Sequence, residues 1–401
     1  MKTTDPDGGD PTQGSQALPS RRKNPNMRFA RDDGKIDLLA RMLRQGDPLA
    51  DAVDEELQTH GVEARQALEA GLRNGLATLH DVPAAVAALL REAETLPAWV
   101  APEILQRGAA ANLSIEPLWR QISSNLAALL RTYSSPSIAR VLVGTGRLAT
   151  MAAHRVRETG TWAIAATLPG GLTRGGPGYI ATIQVRLLHA RVRRTNLRRG
   201  WDMETWGVPI NQVDLARTWL DFNYVPFRAL TDLGFDFTAK ELQELYQFWG
   251  YLGYLLGIDP IFYRDIRDHT RAEELLDLIE TTNEPPDENS RALVAALLDV
   301  TIGSLMNALQ SPPALTADMV HALARFIHGD VLADALGVRR TEHTHLMPLI
   351  VHDNQVTRRL QRIEPGVWER MLEQNLAVYR AQLAAPSGPT EYQTYLSAGR
   401  R

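Results

Sequence analysis

Apolar residues recur at three- and four-residue spacing from Lys35 onward: Ile36, Leu39, Met42 and Leu43, then Ala64, Leu68, Leu72 and Leu76. That is the period of a helix with one buried face. Further helices are predicted near residues 82–93, 101–112, 116–132, 136–153 and 155–168, with Pro83, Pro102, Pro117 and Pro136 near their starts. Proline at a first helical turn removes no intrahelical hydrogen bond. A loop at about 169–178, Pro-Gly-Gly-Leu-Thr-Arg-Gly-Gly-Pro-Gly, interrupts the pattern. It resumes over about 179–199, then near 211–232, 238–257, 268–282, 288–310, 315–336, 344–362 and 366–384. Ala, Leu, Arg and Glu dominate these stretches, and β-branched residues do not gather into short alternating runs. The chain reads as all-α, and no repeat of fixed period points to a solenoid.

The pattern fails at both ends. Residues 1–33 are rich in Gly, Pro, Asp, Ser and Thr with almost no aliphatic content, a composition that cannot offset the entropy of ordering. From Pro386 the chain returns to Pro, Gly and Ser. The expected organisation is therefore a disordered N-terminal tail (1–33), one helical domain (34–385) and a flexible C-terminal tail (386–401). With 401 residues and 44% hydrophobic content the chain can bury a large core, and length alone permits one domain or two.

A formal net charge of −4 gives no global basic field, so nucleic acid is not an expected partner. The absence of cysteine excludes disulfides, zinc–thiolate and iron–sulfur sites and a cysteine-ligated haem. Ser20-Arg21-Arg22-Lys23 is not followed by the apolar stretch of an export signal. No window approaches the roughly 18 to 20 apolar residues that cross a bilayer. The sequence thus predicts a soluble, cytoplasmic protein without an integral membrane segment, and leaves its oligomeric state open.

His189 carries the main chemical signal. On a helix it shares its face with Val185 and Arg186 on the preceding turn and Val192 and Arg193 on the next. An apolar stripe with one imidazole flanked by guanidinium groups suits a haem, since neutral imidazole ligates iron and arginines pair with propionates. The competing reading is a hydrogen-bonded histidine beside a solvated basic face, and taken alone the residue favours it. In the helix before the glycine loop, Met151, Arg155, Thr159 and Trp162 fall on one face if the helix is unbroken. Arg155 and Thr159 can orient dioxygen or stabilise negative charge on oxygen. Spacing alone favours the plainer reading, Arg155 as a surface or salt-bridged arginine and Thr159 as a local backbone binder.

Other candidates are weaker. His343, His345, His352 and Asp353 are metal-ligand types, but His343 and His345 would point about 200° apart on a helix, so polar loop roles fit better. His321 and His328 read as packing or helix-end residues. Arg191, Arg193, Arg194, Arg198 and Arg199 can bind phosphates, yet the acidic overall balance favours a solvated face. Tyr246, Phe248, Trp249, Tyr251 and Tyr254 can line an apolar channel, with core packing the safer reading. Gly171, Gly175, Gly176 and Gly178 follow no strand and have the wrong spacing for a dinucleotide fingerprint.

Taken in order, these elements resemble the latex clearing protein or rubber oxygenase family and, more broadly, the MpaB-type oxygenases. The matching stretches are Gly144-Thr145-Gly146-Arg147-Leu148, Arg155-x-x-x-Thr159, the Pro-Gly-Gly loop, Gln184 to Arg193, and Gly207-x-Pro209-Ile210-Asn211-Gln212-x-Asp214-Leu215. They fall within roughly residues 140–260. The resemblance implies a mostly helical protein whose globin-like core holds a b-type haem. It implies His189 as the proximal iron ligand, Arg155 and Thr159 on the distal side, and Arg186 and Arg193 at the propionates. It also implies dioxygen and an apolar, isoprenoid substrate as partners, oxidised in relatives at a carbon–carbon double bond.

One departure limits the transfer. Rubber-cleaving members carry a lysine just before the distal threonine and a glutamate further upstream; this chain has Glu158 at the first place and no acidic residue between Glu116 and Glu158. Glu158 is therefore a candidate catalytic residue of altered role, with Arg147 as a candidate partner of reversed sign. Haem binding survives this change better than rubber cleavage, because a proton acceptor and an axial ligand are different requirements. The sequence supports a haem-dependent oxygenase, with a non-catalytic haem sensor or carrier as the alternative.

Overall fold

The computed structural model describes residues 33–144, 148–385 and 388–397. Many of the helices begin where the chain supplies a side-chain cap or a proline. The first half runs α1 (Asp33–Leu43), α2 (Pro48–Thr59), α3 (Gly61–Asn74), α4 (Ala84–Glu94), α5 (Pro102–Leu113), α6 (Pro117–Ile122), α7 (Leu130–Tyr133) and α8 (Pro136–Val143). A π-helical turn, Ser123–Leu129, joins α6 to α7. Then follow α9 (Leu148–Thr167), α10 (Pro177–Arg198), α11 (Met203–Trp206), α12 (Gln212–Phe222), α13 (Tyr224–Asp232) and α14 (Ala239–Leu255). The C-terminal part contains α15 (His269–Glu280), α16 (Glu288–Leu309), α17 (Pro313–Ala335), α18 (Met347–Ile363), α19 (Val367–Ala384) and α20 (Glu391–Ser397). No strand occurs among the described residues, so the all-α expectation holds.

Caps explain several of these starts. Asp47 accepts the Ala50 N–H at 3.1 Å ahead of α2, and Thr238 and Glu241 form a reciprocal capping box at α14, each satisfying donors that a helix start leaves free. Boundaries differ from the sequence reading in three places. The helix expected over 136–153 stops at Val143, and α9 starts at Leu148; the Gly144-Thr145-Gly146 sequence is a poor helix former, whereas 149–158 contains nothing that breaks one. The predicted 211–232 helix divides at Asn223 (φ −119°, ψ −66°), whose side chain turns back to donate to the Trp219 carbonyl at 2.7 Å. The stretch read as a flexible C-terminal tail holds α20, with Tyr392 buried. The tail expected over 1–33 lies, apart from Asp33 in α1, outside the described residues.

The expectation that no window is apolar enough to span a bilayer also needs correction. By length and composition α16 would qualify. Its apolar side, including Leu293, Val294, Leu297 and Leu305, is buried in the protein, against α17, α9 and α8 among others.

Two contacts set the geometry of the site. α9 and α10 pack directly on each other, pinned by a buried hydrogen bond from the Trp162 indole to the Thr182 hydroxyl at 3.1 Å. Gly178, in the first turn of α10, lies so close to the end of α9 that a Cβ there would sit 2.4 Å from the Ala165 carbonyl oxygen and the Ala166 Cα. On its other flank α10 packs against α2, and this flank carries its buried arginines.

Candidate active site

α9 and α10 form facing walls of a cavity of about 290 Å³. α10 contributes Val185, Leu188, His189 and Val192, spaced along one stripe, and α9 contributes Arg155, Glu158, Thr159 and Trp162. The remaining walls come from α7 and α8 (Tyr133, Leu142), α12 (Asp214, Trp219), α14 (Trp249, Leu252) and α20 (Glu391, Tyr392). Most of this surface is apolar, with a few polar groups, as is usual for sites that hold a cofactor or substrate. α9 is unbroken from 148 to 167, which is the condition for Arg155, Thr159 and Trp162 to share a face. Met151 and Arg147 fall outside what can be described here: the placement of the Met151 side chain and of residue 147 is not part of the described structure.

His189 Nδ1 is buried and has no hydrogen-bond partner. Burial, reinforced by the Arg193 guanidinium and opposed by Asp47, lowers its pKa from 6.5 to about 4. The imidazole is thus neutral at physiological pH and keeps a lone pair for a metal. The hydrogen-bonded histidine considered from sequence is absent. Across the cavity, Arg155 Nη2 donates to the Leu142 carbonyl at 2.8 Å, which fixes its charge at the wall. Thr159 lines the same wall. Burial pushes the Tyr133 phenol up to about 12, so it stays a neutral donor.

Glu158 is 8% exposed and already engaged. Its carboxylate lies 3.0 Å from His154 Nε2 and accepts the backbone N–H of Glu391. It borders the cavity but is bound to a helix start.

Arg186 and Arg193 need correction: neither lines the cavity, and both are consumed by protein partners. Arg186 grips Asp47 with two hydrogen bonds, Nε to Oδ2 at 2.6 Å and Nη2 to Oδ1 at 3.1 Å, and reaches Glu92 at 2.7 Å. Burial alone would weaken its charge, but these two carboxylates hold its pKa above the ordinary value. Arg193 pairs with Asp51 and donates to the carbonyls of Pro209 and Ile210, each at 3.1 Å. Arg194 adds a third rung, 2.5 Å from Asp54. The helical wheel explains the split: 185, 188, 189 and 192 face the cavity, while 186 and 193 lie to one side, toward α2. The "solvated basic face" reading fails for the same three arginines, although Arg199 only reaches the exposed Gly144 carbonyl at 3.0 Å.

The Asn211-Gln212-x-Asp214 motif is mainly architectural. The Asn211 side chain caps α12 through the Asp214 N–H at 3.0 Å and donates to the Asp214 carboxylate at 2.8 Å. Gln212 ties the carbonyls of Gly46 and Gly257 to this corner at 2.9 and 3.0 Å. Only Asp214 of the three reaches the cavity.

The weaker histidine candidates have structural partners. His328 Nε2 meets the Leu126 carbonyl in the π-helical turn at 2.6 Å, and His321 Nδ1 accepts from the Arg339 N–H at 3.1 Å. No cluster of metal-ligating side chains occurs among the described residues. Of the aromatic run in α14, only Trp249 faces the cavity, with Tyr246, Phe248 and Tyr251 in the core. Sequence reasoning missed Tyr133, Glu391 and Tyr392, and named Asp214 only as part of a motif, without a place in the site. Tyr133 carries no local signal, but Thr390-x-x-Gln393 is a helix-start pattern that could have flagged α20.

Comparison with known proteins agrees with the architecture. The model of the ER-bound oxygenase mpaB/B'/rubber oxygenase catalytic domain matches residues 118–360. A solved structure of latex clearing protein in the closed state is similar with a TM-score of 0.64 at 18% identity, covering 90% of this chain and 95% of that one. A comparison with curated proteins matches nothing. The matched region contains α9, α10 and most of the cavity wall, and the chain belongs to the mpaB/rubber oxygenase catalytic-domain family of oxygenases.

Proposed function

We propose that this oxygenase uses a b-type haem, held through His189, to oxidise an apolar, isoprenoid-type molecule with dioxygen. The observation that carries the reading is a neutral imidazole without a protein partner, buried in an apolar cavity opposite Arg155 and Thr159. A buried histidine normally finds a hydrogen bond. One that is desolvated, deprotonated and unpartnered is suited to ligation, since neutral imidazole is the commonest protein ligand of metals. When bound, haem supplies the redox chemistry that activates dioxygen.

The chain's own groups supply the rest. The Arg155 guanidinium, fixed on the Leu142 carbonyl, offers positive charge where negative charge develops on oxygen, without needing to reorganise. The Thr159 hydroxyl supplies a short donor or acceptor one turn away. Leu188, Val192, Trp219 and Leu252 exclude water and favour a hydrocarbon substrate. Glu158 is held by His154 and the Glu391 N–H, so a free carboxylate base is not at hand there; oxidation by double-bond cleavage and by hydroxylation both remain compatible with this wall. Arg186 and Arg193 are not offered as propionate partners, since neither lines the cavity and each is already paired with carboxylates or carbonyls of the protein.

The test is oxygen uptake by the haem-loaded protein with short linear isoprenoids, with products identified by mass spectrometry. Substrate-dependent uptake and an oxygenated product support the reading. A haem-bound protein that binds gas reversibly and yields no product with any isoprenoid replaces it with a sensor or carrier.

A further inference from the structure

The cavity wall formed by α20 differs from the others. α20 has seven residues, too few to be stable as a helix by itself, and it packs on α10 and α3. Its start is satisfied in two ways. Thr390 and Gln393 bond each other reciprocally, Thr390 N–H to Gln393 Oε1 at 3.0 Å and Gln393 N–H to Thr390 Oγ1 at 3.4 Å. The N–H of Glu391 goes instead to the Glu158 carboxylate of α9. One residue on, Tyr392 is 5% exposed and lines the cavity, its phenol pushed up by burial. Beyond its packing on α10 and α3, this short helix is tied to α9 by the charge-assisted hydrogen bond from Glu391 to Glu158, and Tyr392 inserts from it into the hydrophobic core beside the cavity.

We propose that α20 is the detachable wall of this cavity: Glu391 and Tyr392 set the size of the apolar molecule admitted, and Glu158 is the positioning residue that latches them. This rests on the reading of the cavity as the substrate site. It reassigns Glu158 from chemistry to gating. With α20 seated, the cavity admits compact apolar molecules; with α20 released, the stripe of α10 around His189 is open to longer ones. An apolar helix face uncovered in this way attracts hydrocarbon, so release and substrate binding are coupled.

The experiment uses the full chain and two readings that do not require haem: hydrogen exchange of peptides covering 388–397, and fluorescence titration with Nile red, a bulky neutral dye. Glu391→Pro removes the donor N–H at a first helical position, where proline is tolerated. Loss of a hydrogen bond to a charged group predicts roughly ten- to hundredfold faster exchange in α20, and dye binding tighter by about tenfold. Tyr392→Ala, which leaves the latch in place, is expected to tighten dye binding alone. Thermal melts of both variants establish that the core is folded. Dye binding within about twofold of the parent in both folded variants, a change too small for a lost charged hydrogen bond, overturns the proposal. If dye gating follows α20 but the parent shows no haem absorption, the wall stands and the haem reading falls. If haem is bound and neither variant alters dye binding, the reverse holds.

Discussion

Replacing Arg186 with Met separates its structural role from a role at haem. Its guanidinium is 4% exposed and makes two hydrogen bonds to Asp47, itself 4% exposed, plus one to Glu92. Asp47 also caps α2. The surroundings leave little room for water to replace the lost donor: a Cβ on Gly257, which has φ +73°, would lie 2.2 Å from Asp47 Oδ2 and 2.4 Å from Arg186 Nε. Removing the cation therefore strands a buried carboxylate, a change that costs about 3–5 kcal/mol. A second change, Asp47→Asn, keeps an oxygen for the Ala50 N–H but removes the stranded charge. The double variant should therefore be more stable than Arg186→Met alone, with a coupling energy of about 0.5–3 kcal/mol. Urea unfolding followed by circular dichroism measures the stability, and haem absorbance per folded molecule measures occupancy. Arg186→Met should lose stability while its folded fraction retains haem. A variant within about 1 kcal/mol of the parent, well below the cost of breaking a buried pair, but deficient in haem would refute this account and return Arg186 to the propionates.

His189 makes a second prediction through pH. Its folded pKa, about 4, lies below its ordinary 6.5, so the unfolded chain takes up the proton first on acidification. Its contribution is complete above pH 6.5 and is lost as pH falls toward 4. At pH 5 this amounts to about 2 kcal/mol relative to pH 7.5. In haem-free protein, His189→Leu should flatten the stability profile between those values by about that amount, and an unchanged profile would mean that the imidazole is not desolvated. Gly178→Ala should cost at least about 1–3 kcal/mol, because its Cβ would strike backbone rather than a side chain that can turn away; a thermal melt equal to the parent's would show that α9 and α10 are less tightly apposed than described.

Helical periodicity made most of the fold legible, because amphipathic faces such as that of Leu68 and Leu72 are buried as the spacing implies. His189, Arg155 and Thr159 were legible as residues that share one cavity, because each sits on the inward stripe of a long helix. Arg186 and Arg193 show where local reading stops. Both lie one turn from His189, but their direction is decided by Asp47 and Asp51, some 140 residues earlier (separations of 139 and 142), which no pattern within α10 can reveal. Glu158 is the same case: its partner is the backbone of Glu391, 233 residues away. Composition hid α20, since Pro, Gly and Ser around it suggest a tail while Tyr392 supplies the anchor. Long-range polar pairing, rather than periodicity, is what the sequence concealed.

The central claim is that His189 is the haem ligand. Its most direct test is the absorption spectrum of the chain expressed with adequate haem, with a pyridine haemochrome assay, beside the same measurement on His189→Ala. The parent is expected to show a Soret band and a b-type haemochrome, and the variant to lose most of its haem while its helical content is retained. A parent without a Soret band, or a His189→Ala variant with full haem occupancy, contradicts the assignment.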